Sequence, residues 1–540
     1  MARLLVIGLD GATWDLAKPW VQTGQLPTLS HLMAEGIWGE LESTIPYVTP
    51  VAWSSFATGK NPGKHGIYGF LNTENYQTKG ITSHDLQATA FWHWLSENGQ
   101  QVGLVNIPLT YPAMPLNGFV ISSMFAPNID SPNFTYPQNL IDEILKVSQD
   151  YVITIPGAYY MRQSKPNSAR EKIFQMLAAR EAVVKYLLRD KPWDFFAVNF
   201  FATDEVQHYF WRYLDPSHPL YKPAQARDYG DTILSVYQRL DQIVAELLTI
   251  AGNDTNLIIM SDHGLGPTSG RVICLNQWLR QHGYLEFQSG SGAGKIKGMV
   301  AKGLLWFTSN LAYTITERYP GLSQKVQGIV SPYQIDYQNS LAYADEACGS
   351  IRLNLEGREP FGTVKLEEYR HLVAKLKDEL LEMADPETGE KIVNAVYLKD
   401  EIYNGPALSS APDLIVQLDD LGCVFQSSII GAGKAVARLS PSQLQKTGMS
   451  GNHRQNGILI GYGPDIKPGL ETKGARIYDI APTILHTFGL PIPKDMDGRV
   501  LKEIFKPDST LAQREIEYQE VEERQKVRER IRGLKALGKL

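Results

Sequence analysis

An α/β fold on a mostly parallel sheet is what this sequence predicts, and two observations carry it. Arg3-Leu4-Leu5-Val6-Ile7-Gly8-Leu9 is a continuous apolar run that stops at Asp10-Gly11. That is the pattern of a strand buried on both faces with an acidic residue at its carboxyl end. The same grammar returns in Val102 to Asn106, Phe195 to Phe200 and Leu257 to Ser261, with helical patterns between, over Ser168 to Arg189 and Tyr229 to Ala251. Strands alternating with helices imply an α/β sheet whose reactive groups gather outside the carboxyl ends of its strands.

In chain order, the first strand is followed by Thr44 to Gly59, where Thr49 stands between Pro46 and Pro50 at the start of a helix that a glycine closes. A threonine so placed is either a helix cap or a nucleophile. The core pattern runs to Gly283, and Gln288 to Gly294 has the composition of a flexible linker. Residues 295–323 carry one apolar stripe with Lys295, Lys297 and Lys302 beside it. We read this segment as a helical cap over the mouth of the site, with peripheral membrane contact as the other reading. A second α/β unit follows, with strands at Ile351 to Leu355 and Leu414 to Val416 and a helix over Leu366 to Met383. Core grammar resumes at Gly457 to Gly463, then a helix capped by Asp479 with Pro482 in its first turn. The expected organisation is a core over 1–283 and 431–507, an insertion over 284–430 and a charged helical tail over 508–540.

Composition narrows the function. The chain has 540 residues, 43% apolar and 20% charged, enough for a full core and more than one unit. Its net charge of −6 gives no broad basic surface, so a nucleic-acid polymer is not the expected partner, while a single nucleotide stays open as substrate. Cys274, Cys348 and Cys423 are odd in number and widely spaced, which suits a reducing compartment. The run Leu4 to Leu9 is too short for a signal-peptide core, and no run of eighteen apolar residues occurs. A cytoplasmic protein without a transmembrane segment is expected.

Three acidic signals fall at strand ends: Asp10, Asp204 with His208, and Asp262 with His263. The four-residue spacing of Asp204 and His208 puts both on one helix face, close enough to share a metal. His453 precedes a later strand. Together these residues supply oxygen and nitrogen ligands for two divalent ions, which suits in-line displacement at phosphorus with Thr49 as nucleophile.

Leu9-Asp10-Gly11, Thr49 followed by Thr58-Gly59 and His65-Gly66-Ile67, Asp204-x-x-x-His208, Ser261-Asp262-His263-Gly264 and Gly451-Asn452-His453 resemble, in this order, the alkaline phosphatase superfamily. The closer resemblance is to its type I phosphodiesterase and nucleotide pyrophosphatase branch. The resemblance implies a three-layer α/β sandwich with a metal pair at the carboxyl edge of the sheet. It implies that Asp204, His208 and His453 hold one ion, while Asp10, Asp262, His263 and the Thr49 oxygen hold the other. Zinc suits the histidine-containing sets, and manganese is the alternative. The implied reaction is hydrolysis of a small phosphodiester or nucleotide through a phospho-threonine. The alternatives are a phosphomutase or phosphomonoesterase of the same superfamily, or a non-catalytic binding protein that keeps the fold.

One position departs from that pattern. Three residues after the nucleophile, where the branch carries an Asn, this chain has Ala52. Asn106, at another strand end, is the candidate substitute for substrate binding. His65 reads as structural, and Trp14, Tyr47 and Trp53 as either an aromatic wall for a base or core.

Overall fold

The computed structural model describes residues 3–288, 335–346, 348–419, 422–425 and 433–521. Its centre is a nine-stranded sheet in the order Leu470–Arg476, Ile37–Glu42, Asn456–Tyr462, Thr255–Met260, Arg3–Leu9, Phe195–Phe200, Val102–Val105, Gly118–Ile121, Thr135–Tyr136. Arg3–Leu9 lies in the middle and pairs in parallel with Phe195–Phe200 and Thr255–Met260. Every residue of Phe195–Phe200 and Thr255–Met260 is buried, as continuous apolar runs require in a sheet covered on both sides.

Alternate side chains of the central strand enter two different cores. Leu5, Ile7 and Leu9 pack with the helices Pro166–Asp190, Ala202–Leu214 and Thr232–Ala251, while Leu4 and Val6 pack with Thr49–Thr58, Phe91–Glu97 and Ile480–Thr487. Helices on both faces of the sheet make the three-layer sandwich. Each fully buried large apolar side chain contributes about 1.5–3 kcal/mol.

Several expectations need correction. Asn456–Tyr462 is antiparallel to both neighbours, Ile37–Glu42 and Thr255–Met260; an apolar run carries no sign of its direction. The helix expected over Tyr229 to Ala251 begins at Thr232, because Pro223–Tyr229 is a separate helix ending at Gly230. The unit read as a second α/β element is wholly antiparallel, in the order Ala342–Glu346, Ser350–Leu353, Leu414–Leu418, Val393–Leu398, with the helix Leu366–Leu381 against it. Its apolar cluster also holds Leu275, Trp278 and Leu279 of the helix Leu275–Gln281. In the tail, residues 514–521 are not helical: Tyr518–Gln519 pairs as a parallel strand with Ile492–Pro493. The segment 295–323, read as a cap, lies outside the described residues, as does 522–540. Among the described residues no helix is long and apolar enough to cross a membrane.

Candidate active site

Three adjacent parallel strands deliver the acidic residues. Asp10 follows Arg3–Leu9, Asp204 lies in the first turn of Ala202–Leu214 just after Phe195–Phe200, and Asp262-His263 follows Thr255–Met260. His453 arrives from the other end of the chain on Gly451–Arg454, which pairs antiparallel with Gly264–Pro267 and sets His453 opposite Leu265.

Thr49 is the first residue of the buried helix Thr49–Thr58, and Val48 occupies the cap position. The expectation of Thr49 as a cap is therefore corrected by one residue. Its hydroxyl is not spent on the helix; Oγ1 lies 3.2 Å from His263 Nε2. Pro50 is tolerated because a second-position N–H would have no intrahelical acceptor. The helix closes on Gly59 at φ 66°, a left-handed conformation that suits a residue without Cβ.

His65, just downstream, braces this helix. His65 Nδ1 accepts from the Ile67 N–H at 3.2 Å, which makes Nε2 the donor to Ser55 Oγ at 2.9 Å. Burial, with Lys60 adding repulsion, pushes its pKa down to about 3, consistent with a neutral structural imidazole.

Two groups of side chains form, Asp204 with His208 and His453, and Asp10 with Asp262 and His263. In the first, His208 Nε2 lies 3.2 Å from Asp204 Oδ1 and 3.1 Å from His453 Nε2, and the last two atoms are 3.5 Å apart. A tetrahedral ion with bonds of about 2.0–2.1 Å sets its ligands about 3.3 Å apart. In the second, His263 Nε2 lies 3.3 Å from Asp262 Oδ2 and 3.8 Å from Asp10 Oδ1. The groups abut, since the His263 and His453 rings stack with centroids 3.7 Å apart.

The donor chemistry fits cations. Asp10 Oδ1, Asp204 Oδ1 and Asp262 Oδ2 are buried and make no hydrogen bond, an arrangement that is costly unless a charge compensates it. Each imidazole is fixed from behind by a carbonyl: Gly451 O at 2.8 Å from His208 Nδ1, Gly264 O at 3.0 Å from His263 Nδ1 and Tyr47 O at 3.3 Å from His453 Nδ1. A carbonyl only accepts, so each Nδ1 carries a proton and each Nε2 faces inward, the orientation metal-binding imidazoles adopt.

Electrostatics report the same demand for positive charge. Burial, and then repulsion from Asp204, raises the Asp10 carboxyl to about 7, and burial with repulsion from Asp10 holds Asp262 well above the usual range. Burial opposes ionisation of Asp204 too, but attraction to His208 outweighs it and drives its pKa well below normal. For His208, burial acts downward and Asp204 overrides it, giving about 9.

The other sequence candidates lie elsewhere. Asn106 is fully buried; its Nδ2 donates to Ser122 O at 2.7 Å and its Oδ1 accepts from the Tyr151 hydroxyl. Its amide is used within the core, so it does not supply what Ala52, itself buried in the apolar cluster, lacks. Trp53 is core, and Trp14 packs edge-on against Trp38 at the rim. Tyr47 does face open space. It lines a cavity of about 90 Å³ beside His453, between the loop Ile45 to Val48 and the inserted unit's Cys348, Ile415, Leu418 and Phe425. This wall went unnoticed in the sequence, where nothing ties residues 348–425 to Thr49.

A buried hydroxyl at a helix start, facing two acid–imidazole groups at the carboxyl edge of such a sheet, puts the chain with the α/β proteins of the alkaline phosphatase superfamily. Within that class, the model for type I phosphodiesterase / nucleotide pyrophosphatase matches residues 4–453. The chain belongs to that family, and the match ends on His453. Among solved structures, murine ectonucleotide pyrophosphatase / phosphodiesterase 5, an inactive form in complex with AMP, is similar at 13% identity and TM-score 0.49, over 94% of this chain and 100% of that one. The human protein is similar at 14% and 0.48, over 93% and 100%. No curated protein sequence matches the chain.

Proposed function

We propose that this protein hydrolyses phosphodiesters or nucleotide pyrophosphate bonds through a phospho-threonine formed on Thr49, in a site that takes two divalent ions. The observation that carries the reading is the Thr49 hydroxyl, 3.2 Å from His263 Nε2 beside three buried carboxylate oxygens with no hydrogen bond. Asp204, His208 and His453 would hold one ion, and Asp10, Asp262, His263 and Thr49 the other, as zinc or manganese. When bound, such a pair supplies Lewis-acid polarisation of phosphoryl oxygens and stabilises attacking and leaving oxygens.

The chain's own contribution is positioning. The Thr49–Thr58 helix is buried along its whole length, which holds the hydroxyl for in-line approach. Its first turn offers little to an oxyanion, because Pro50 has no N–H and the Val51 and Ala52 N–H groups both donate to Val48 O at 3.0 Å. The Thr49 N–H is left as the one backbone donor of that turn. The guanidinium lining the cleft, Arg454, gives its N–H groups to the carbonyls of Asn452, His453 and Pro267. Lys60 and Lys64 are bound to Asp495 and Asp497. With these cations committed, a phosphodiester monoanion suits the site better than a monoester dianion. The cavity beside His453 would receive one substituent of the ester. Cys274, Cys348 and Cys423 form no disulfide, and the reading includes a reducing, cytoplasmic setting.

The test is hydrolysis by purified protein with added zinc or manganese. An aryl phosphodiester should turn over faster than the matching monoester. Equal or reversed rates would sink the diesterase reading, and no turnover of either would favour a binding protein.

A further inference from the structure

We infer that Trp53 and Asn199 position Asp10 for its ion, and that residue 8 is glycine so that both can reach it; this rests on the metal reading above. Asp10 is almost wholly buried, and its Oδ2 accepts from Asn199 Nδ2 at 2.7 Å and from Trp53 Nε1 at 3.3 Å. Two donors on one oxygen fix the plane of the carboxylate. The other oxygen, Oδ1, makes no hydrogen bond and lies 3.8 Å from His263 Nε2, toward the second group.

The two donors come from different layers. Asn199 is the register partner of Gly8 on the neighbouring strand. Trp53 lies one turn beyond Thr49 on the same buried helix, so a single helix carries both the nucleophile and a donor to a metal-binding carboxylate. They converge over Gly8. A Cβ at that position would stand 2.6 Å from Asn199 Oδ1 and 2.7 Å from the Trp53 ring, closer than side chains tolerate. Glycine inside a strand weakens it and marks a close approach; here the approach is that of the pair holding Asp10. Donors of this kind typically change metal affinity 10–100-fold when removed.

The experiment uses full-length wild type and two variants. Trp53→Phe keeps a ring in the core and removes the N–H, and Asn199→Leu keeps the volume and removes the amide. Each protein, free of metal and substrate, is titrated with Mn²⁺ by calorimetry, bound ions are counted by elemental analysis, and the unfolding midpoint of the metal-free form is recorded. Wild type should bind two ions, and each folded variant one at wild-type affinity and one about 10–100-fold weaker. Two ions at wild-type affinity in both variants, or equal weakening of both ions, would overturn the positioning role; the second outcome is what general loosening would give. Failure of wild type to bind any ion would instead strike the metal reading itself.

Discussion

Thr49 illustrates how much a single residue's meaning depends on its neighbours. One step further back, at position 48, its hydroxyl would cap the helix; at the first helical position it is released toward His263. Thr49→Ala should keep the fold and the bound metal and lose turnover by several orders of magnitude, since the covalent route is removed. Steady-state rates beside circular dichroism and metal content check this, and undiminished turnover would take Thr49 out of the mechanism. The Asp and His residues were legible because they end apolar strands or share a helix face. Trp53 and Asn199 were not, because inside a buried helix and a buried strand their polar atoms are indistinguishable from core residues satisfying themselves. Asn106 failed for the converse reason: a strand-end amide looks available until Ser122 and Tyr151 are seen to use both its ends.

At the scale of elements, the inserted antiparallel sheet is tied together by one carboxylate. Asp413 is fully buried and accepts from Arg358 Nη1 and Nη2 at 2.9 and 2.7 Å, Lys399 Nζ at 2.8 Å, the Tyr369 hydroxyl at 2.9 Å and the Leu353 N–H at 2.7 Å. Burial opposes its ionisation, but Arg358 and then Lys399 bring its pKa down to about 2. A carboxyl depressed in the folded state stabilises above its unfolded pKa of about 3.9 and loses that contribution as pH falls toward the folded value. The window is therefore about pH 4 to 2, and the contribution about 2–3 kcal/mol. Asp413→Asn takes from Lys399 its carboxylate and leaves Arg358 with Glu359 alone, 3.1 Å away, and should cost about 3 kcal/mol at pH 7. Urea unfolding should show the gap to wild type narrowing below pH 4; a gap that does not change with pH would refute the linkage. Two of this unit's four strands, Ser350–Leu353 and Leu414–Leu418, were legible as apolar runs; Ala342–Glu346 and Val393–Leu398 were not, and neither was the antiparallel pairing, since pairing direction depends on connections and not on residue type.

For the whole molecule, the site is a seam between distant parts of the chain, and its buried carboxylates should make stability depend on metal. Chelator-treated protein should unfold at a lower temperature than protein with zinc or manganese, each site adding about 2.7 kcal/mol when ligand stands at 100 times its Kd. Calorimetric scans with and without chelator decide it, and coincident midpoints would count against ion binding. The α/β class and the central strands were legible because parallel strands buried on both faces leave unbroken apolar runs. Which apolar cluster the helix Leu275–Gln281 joins was not, because its stripe of Leu275, Trp278 and Leu279 reads the same against either partner. The strand Gly451–Arg454 has a consequence for synthesis. His453 reaches over Tyr47, its hydrogen-bond partner 406 residues earlier, and at 5–20 residues per second that interval is about 20–80 s. Asp204, His208, Asp262 and His263 are all made within that interval, and the group of Asp204, His208 and His453 is completed only at its end. On the two-ion reading proposed above, a product truncated before residue 451 lacks one ligand of the first ion and should be born inert.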